Sequence, residues 1–284
     1  MKIAEIIQTI EDFAPLSYQE SYDNAGLLIG DKMSTCTGVL ICIDVLEAVL
    51  DEAIRKKCNL IVAHHPIVFS GLKKINGNNY IERIVLKAIK NDIAIYACHT
   101  NIDNVQNGVN AIIADRLGLI NRRVLLPSKN VLKKLYTYVP EVNKAMLMDQ
   151  LFAAGAGNIA NYSECSFSVA GVGTFKGNAQ SNPVLGKKNV RSVEAEHKIE
   201  VIFPKHLESK IIKTLLHYHP YEEVAYEVIS LDNHYQQIGS GMIAELKTAM
   251  PTKTFLAMLK QEMKAKCIRH TSLVKKKIKR VALC

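Results

Sequence analysis

The stretch Leu60-Ile-Val-Ala-His-His-Pro66 decides the fold. Four apolar residues run without alternation into two histidines and a proline, as in a strand covered on both faces that stops where the chain turns polar. Two similar runs flank it, Gly38-Val-Leu-Ile-Cys-Ile43 and Ile93-Ala-Ile-Tyr-Ala-Cys98. Between these runs the spacing of apolar residues predicts helices over 45–57 and 80–90. Strand, helix, strand, helix, strand is the signature of an α/β layer with parallel neighbours.

Working outward, Ile3, Ile6, Ile7 and Ile10 have the i, i+3, i+4, i+7 spacing of one buried helix face. A membrane-surface helix is the competing reading, but one cation, Lys2, stands against Glu5, Glu11 and Asp12, which favours a core helix. A further helix is expected over 109–117, with Gly118 as its C-cap. The pattern breaks at Leu126-Pro-Ser-Lys-Asn130, and a different rhythm follows. Strands over 132–139, 166–172, 197–203 and 225–231 alternate with helices over 141–154 and 207–216. That β-α-β-β-α-β order is a ferredoxin-like unit. After the polar residues 232–239 come a helix over 252–266 and a strand over 278–283. The expected architecture is therefore α/β: a mixed sheet layered with helices, built from 1–127 and 238–284 and interrupted by an inserted α+β ferredoxin-like domain over 128–237.

The chain has 284 residues, 48% of them hydrophobic and 22% charged, which excludes disordered, fibrous and disulfide-stapled classes. Its formal net charge of +9 suggests a nucleic-acid binder until the charge is located. Eleven Lys and Arg against two acids lie from Ser240 onward, so the preceding 239 residues are balanced. Lys260, Lys264 and Lys266 fall on an amphipathic helix with Phe255, Leu256 and Leu259 on its apolar face, so nucleic acid is not the expected partner. Seven cysteines, three of them in apolar runs, favour a reducing compartment. No signal-peptide layout and no apolar run of roughly 18 residues is present, and the expected location is the cytoplasm, without a membrane partner.

Two segments stand where chemistry is expected. His64 and His65 follow one strand and His99-Thr-Asn-Ile-Asp103 follows another. Adjacent residues inside a strand face opposite ways, so two neighbouring histidines serve one site only where the strand ends, and Pro66 supplies that end. Ligands of open α/β sheets gather at the carboxyl ends of the strands. Imidazole with carboxylate suits Zn, Mn, Fe or Ni rather than Ca or Mg. Asp44 ends the first strand and is placed to orient a ligand histidine. Asp23 and Asn24, before Gly26 and Gly30, read as a turn into a strand or as a polar loop lining the same cleft. His217-Tyr-His-Pro-Tyr-Glu-Glu223 leaves two readings open, a metal-binding H-x-H beside Glu222 and Glu223 or the polar end of a helix. Gly155-Ala-Gly-Asn-Ile-Ala160 matches G-x-G-x-x-A but follows a helix, so it reads as a helix-ending turn. Cys165 and the other thiols form no C-x-x-C pair.

Together these segments resemble the GTP cyclohydrolase 1 type 2 homologue family, a group of dinuclear-metal proteins. The resemblance rests on Asp23-Asn-Ala-Gly-Leu27, Ala63-His-His-Pro-Ile67, His99-Thr-Asn-Ile-Asp103 with Gly108-Val-Asn110, and His219-Pro-Tyr-Glu-Glu223 with Ala225-Tyr226. Gly155–Tyr162, Gly171-Val-Gly-Thr-Phe175 and Asn182-Pro183 resemble the domain inserted in its longer members. It implies a PII-like insert, a ring-shaped homohexamer, and His64, His65 and Asp103 as ligands of two divalent ions; His99 matches the motif with a weaker claim. Tyr22 stands where many members have Trp. Members run on past a strand like Arg280-Val-Ala-Leu-Cys284 to a His and Glu four residues apart that complete the two-metal site. Those ligands are not among the 284 residues, so partial metal loading is expected of this chain. The implied activity is metal-dependent hydrolysis of a purine nucleotide or another nitrogen heterocycle, through lowering the pKa of a bound water toward about 7. The rival is a non-enzymatic metal-binding or regulatory scaffold whose inserted domain senses a small ligand.

Overall fold

The computed structural model describes all 284 residues, Met1–Cys284, as two compact units, 1–127 with 237–284 and 128–236. In the first unit the strands β1 (Gly26–Ile29), β2 (Val39–Cys42), β3 (Leu60–Ala63) and β4 (Ala94–Ala97) form a sheet in the order β1-β4-β3-β2. β2, β3 and β4 are parallel and β1 is antiparallel to β4, so the sheet is mixed.

The two central strands distribute their side chains by strict alternation. Ile61, Ala63 and Ile95 meet Leu50 and Ala53 of α2 (Glu47–Lys56) and Ile84, Val85 and Ala88 of α3 (Tyr80–Lys90). Leu60, Ala94 and Tyr96 turn the other way, toward Ile3 and Ile7 of α1 (Ile3–Phe13). Each isoleucine buried on these helices contributes roughly 1.5–3 kcal/mol. Helix α3 begins with a reciprocal cap: the Asn79 side chain accepts the Glu82 N–H and donates to the Glu82 carboxylate, which also receives the Asn76 and Asn78 N–H groups.

β2 departs from the expectation of burial on both faces. It is an edge strand, and while Leu40 and Cys42 pack inward, Val39 is 40% and Ile41 79% exposed. An uninterrupted apolar run therefore does not distinguish a central strand from an edge strand with one bare face.

A second sheet of this unit has the order β11-β10-β5, from β5 (Ile120–Ser128), β10 (Tyr235–Met250) and β11 (Ile278–Leu283), with α5 (Val109–Arg116) and α8 (Thr252–Glu262) sharing its core. The strands at 120–128 and 235–250 overlap the stretches that the sequence reads as a pattern break at 126–130 and as polar residues over 232–239. Ladder bonds are made by main chain, and Tyr235, Gln236 and Gln237 carry no apolar alternation to announce them.

The second unit runs β6 (Leu132–Pro140), α6 (Glu141–Ala153), β7 (Ser166–Lys176), β8 (Arg191–Pro204), α7 (Glu208–Tyr218) and β9 (Tyr226–Leu231). Its sheet is antiparallel throughout, in the order β7-β8-β6-β9. Leu135, Val139, Ile199, Val201 and Phe203 bury one face against Leu147 and Leu151 of α6 and Ile211 and Leu215 of α7. Gly155, at φ +111, closes α6: its N–H donates to the Phe152 carbonyl and that of Ala156 to the Leu151 carbonyl. This paired closure of a helix C-terminus explains the G-x-G-x-x-A match without a nucleotide.

Candidate metal centre

Two adjacent parallel strands deliver the histidines. The main chain keeps the ladder going one step beyond β3, with the His64 N–H donating to the Cys42 carbonyl, the His65 N–H to the Ile43 carbonyl and the Cys98 N–H to the Ala63 carbonyl. Past that point His64, His65 and His99 leave the sheet together at its carboxyl edge. Their ring centroids are 5.0, 5.3 and 5.7 Å apart, and one nitrogen from each lies within 4.8 Å of the others.

Each ring is held by its Nδ1. That of His64 bonds the Cys98 carbonyl oxygen at 3.0 Å, that of His65 the Asp44 carboxylate at 2.7 Å, and that of His99 the Asp23 carboxylate at 2.8 Å. A carbonyl or carboxylate accepts only, so each Nδ1 is the donor to its partner and each Nε2 is the nitrogen left for another group. This is the arrangement that orients metal-ligating histidines. Asp103 completes the group, with Oδ2 3.7 Å from His64 Nε2.

Asp103 sits on α4 (Thr100–Asp103), the single turn after His99, and the buried Asn110 donates to its carbonyl at 3.3 Å. Burial pushes the Asp103 carboxyl above its ordinary range and the Asp23 charge adds to this, while His64, His99 and His65 pull it back. A cation among these groups favours the charged carboxylate. Asp23 behaves oppositely. Its side chain is fully buried, which by itself raises the pKa, yet hydrogen bonds from the Thr100 hydroxyl, His99 and the Asn24 and Thr100 N–H groups hold it below the ordinary range. Thr100 is itself fixed, its hydroxyl accepting the Glu20 N–H at 2.9 Å.

The residues fit a divalent ion in chemistry and orientation. Ligands on one ion at about 2.1 Å lie no more than about 4.2 Å apart, so a spread approaching 4.8 Å calls for a small inward rotation or for division between two ions. The structure brings His64 and His65 together with His99, which the sequence ranks lower, and places Asp103 at their side. Asp23, readable as an ordinary turn, anchors His99, because Gly26↔Ala97 pairing carries its loop back to β4. Asn24 ties the same loop to the Val68 carbonyl at 2.6 Å.

His217, His219, Glu222 and Glu223 belong to the second unit. His219 is 7% exposed, with Nε2 donating to the Tyr138 carbonyl and Nδ1 accepting the Tyr221 N–H. Both nitrogens are used by the protein, so this histidine is structural. No helix is long and apolar enough to cross a membrane.

Comparison with known proteins places the chain among relatives. A protein named GTP cyclohydrolase 1 type 2 homolog from Bacillus subtilis (strain 168) is 38% identical over 280 residues, 98% of this chain and 75% of that protein. One of the same name from Staphylococcus aureus (strain COL) is 34% identical over 283 residues, covering 100% and 77%. Among solved structures, a Bacillus cereus protein related to NIF3 superposes with a TM-score of 0.85 at 40% identity, covering 99% of this chain and 76% of that one. A Staphylococcus aureus protein, SA1388, gives 0.72 at 32% identity, covering 99% and 74%. The model of the Duf34/NIF3 (NGG1p interacting factor 3) family matches residues 1–284, and the chain belongs to that family.

Proposed function

We propose that the chain is a divalent-metal-binding protein that uses its histidine cluster for a hydrolase-type reaction, with a purine nucleotide or another nitrogen heterocycle as substrate class. The observation that carries this reading is the fixing of three Nδ1 atoms on Cys98, Asp44 and Asp23, which leaves three Nε2 atoms for one shared space. His64, His65 and Asp103, with His99, would hold the metal. Bound there, divalent ions would supply a hydroxide equivalent at neutral pH by lowering the pKa of a water toward about 7. The protein's own part is to orient the imidazoles through their Nδ1 bonds, to hold Asp23 charged behind His99, and to aim Asp103 at the same space.

The finer architecture follows the same reading. The element order of 128–236, with its sheet order β7-β8-β6-β9, supports a ferredoxin-like, PII-like insert. The bare strip Val39, Ile41, Ile43 and Leu46 supports self-association, which we assign to a homohexameric ring. Seven free cysteines support a cytoplasmic location.

The test is metal analysis of His64→Ala, His65→Ala, His99→Ala and Asp103→Ala, beside turnover of GTP and related nucleotides by the unmodified chain with added Mn, Zn or Fe. Each histidine variant is expected to lose at least tenfold in metal affinity, about 1.4 kcal/mol. Unchanged metal content in all four sinks the metal centre. Tight metal binding without turnover of any nucleotide sinks the hydrolase reading and leaves the scaffold.

A further inference from the structure

The second unit holds a half-open cavity of about 750 Å³ on the sheet face turned away from α6 and α7. That size lies in the range of small-molecule sites, roughly 300–1,000 Å³. Its position follows from strand alternation. Ile199, Val201 and Phe203 point into the helical core, so Glu196 and Lys198 point the other way. Register sets Glu196 opposite Gly171 on β7 and Pro140 on β6, and Lys198 opposite Val169 and Tyr138. The segment after β7 folds over this face and brings Val184 and Leu185 to the cavity, while Tyr221 closes it from the turn after α7.

Three features define what fits inside. First, the floor is bare: at Gly171 a Cβ would meet nothing within 4 Å, and at Gly173 it would run into the Glu196 carboxylate. Second, the walls are apolar and aromatic, with the rings of Phe175 and Tyr221 6.5 Å apart and tilted by 52°. Third, the carboxylate is uncompensated. Lys198 is taken by Glu200 at 3.1 Å and lies over the Tyr136 ring, whereas Glu196 receives the Tyr221 hydroxyl at 2.6 Å and makes no ion pair. Glu222 and Glu223 at the rim add negative charge, against Lys176. A half-buried carboxylate in an apolar cavity is costly to leave without a partner.

We propose that this cavity binds a small organic cation with a planar guanidinium or amidinium head on an apolar body, the head paired to Glu196 and the body lying against Phe175 and Tyr221. A planar, delocalised cation is weakly hydrated and stacks on aromatic faces, which a compact ammonium does less well. Its N–H groups give charge-assisted hydrogen bonds to the Glu196 oxygen that Tyr221 leaves available. Anions are repelled by the same three glutamates. This site lies wholly within 128–236 and does not depend on the metal centre.

The test is calorimetric titration of the full chain with benzamidine and, as the oppositely charged analogue of the same ring, benzoate. Benzamidine is expected to bind at one site per chain and benzoate not to bind. Glu196→Gln keeps an acceptor for the Tyr221 hydroxyl while removing the charge, and is expected to weaken benzamidine at least tenfold with metal content and melting temperature unchanged. Gly171→Val places methyl groups in the open space and is expected to abolish binding. No benzamidine heat at millimolar concentration, equal binding of benzoate, or wild-type affinity in Glu196→Gln would each overturn the proposal. Should Gly171→Val fail to fold, Glu196→Gln alone decides.

Discussion

Thr100 shows how much of the centre is carried by residues that hold no lone pair for a metal. Its hydroxyl donates to Asp23 and accepts the Glu20 N–H, and its own N–H donates to Asp23 at 3.0 Å. Asp23 in turn fixes the His99 tautomer. Thr100→Val keeps the shape and removes one donor to a buried carboxylate. Metal affinity measured by chelator competition is expected to fall on the order of tenfold, the usual loss when such supporting partners are removed. Affinity equal to wild type would show that Asp23 is held well enough by the remaining N–H groups. The convergence of His64, His65 and the His99–Asp103 turn is legible in sequence, because apolar runs that end in polar residues place those residues at strand termini. The weight of His99 and the role of Asp23 are not legible. The two are 76 positions apart, and only the antiparallel return of β1 onto β4 joins them.

At the scale of elements, α4 is one turn long and is held along its length, with the buried Asn101 side chain donating to the Ala14 carbonyl at 2.7 Å and Ile102 packed against the core. Its hold on Asp103 depends on Gly108, which lies so close to the Ile102 carbonyl that a Cβ there would collide with main chain. The Gly108 N–H also donates to the Val105 carbonyl at 2.9 Å, closing the loop that leads into α5. Gly108→Ala must therefore push α4 outward. Overpacking of this kind costs roughly 1–3 kcal/mol, so the melting temperature of the first unit and its metal affinity should drop together. A drop in melting temperature with unchanged metal binding would mean that Asp103 contributes nothing to the ion. The helices and the parallel core are readable from spacing because burial of one face imposes a period. The starts of β5 and β10 are not, since Asn121, Arg122 and Arg123 in one and Gln236 and Gln237 in the other give no apolar pattern, and β2 misleads because its bare face is as apolar as its covered one.

Across the whole molecule the two units should respond differently to acid once metal is removed. In the second unit burial lowers the pKa of His219 below its ordinary value, against the opposing pull of the Tyr138 carbonyl and Glu196, and burial likewise lowers that of His206. The Nδ1 of His219 accepts the Tyr221 N–H, so protonation breaks a bond as well as burying a charge. The unfolded chain binds these protons near pH 6.5 and the folded chain only at lower pH, so stability is complete above about 6.5 and declines as pH falls below it. Glu200 and Glu141, held low by lysine partners against partial desolvation, act in the same direction but in a lower window, below about pH 4.5. Thermal unfolding in a chelator between pH 7.5 and 5.5 is therefore expected to show a falling transition for the second unit. His219→Gln retains a donor for the Tyr138 carbonyl and cannot titrate, so it should flatten that slope, and His206→Gln in combination should flatten it further. A slope unchanged in the double variant would place the acid sensitivity elsewhere, and would mean that the histidine of the H-x-H sequence is kept neutral by something other than its burial between Tyr138 and Tyr221.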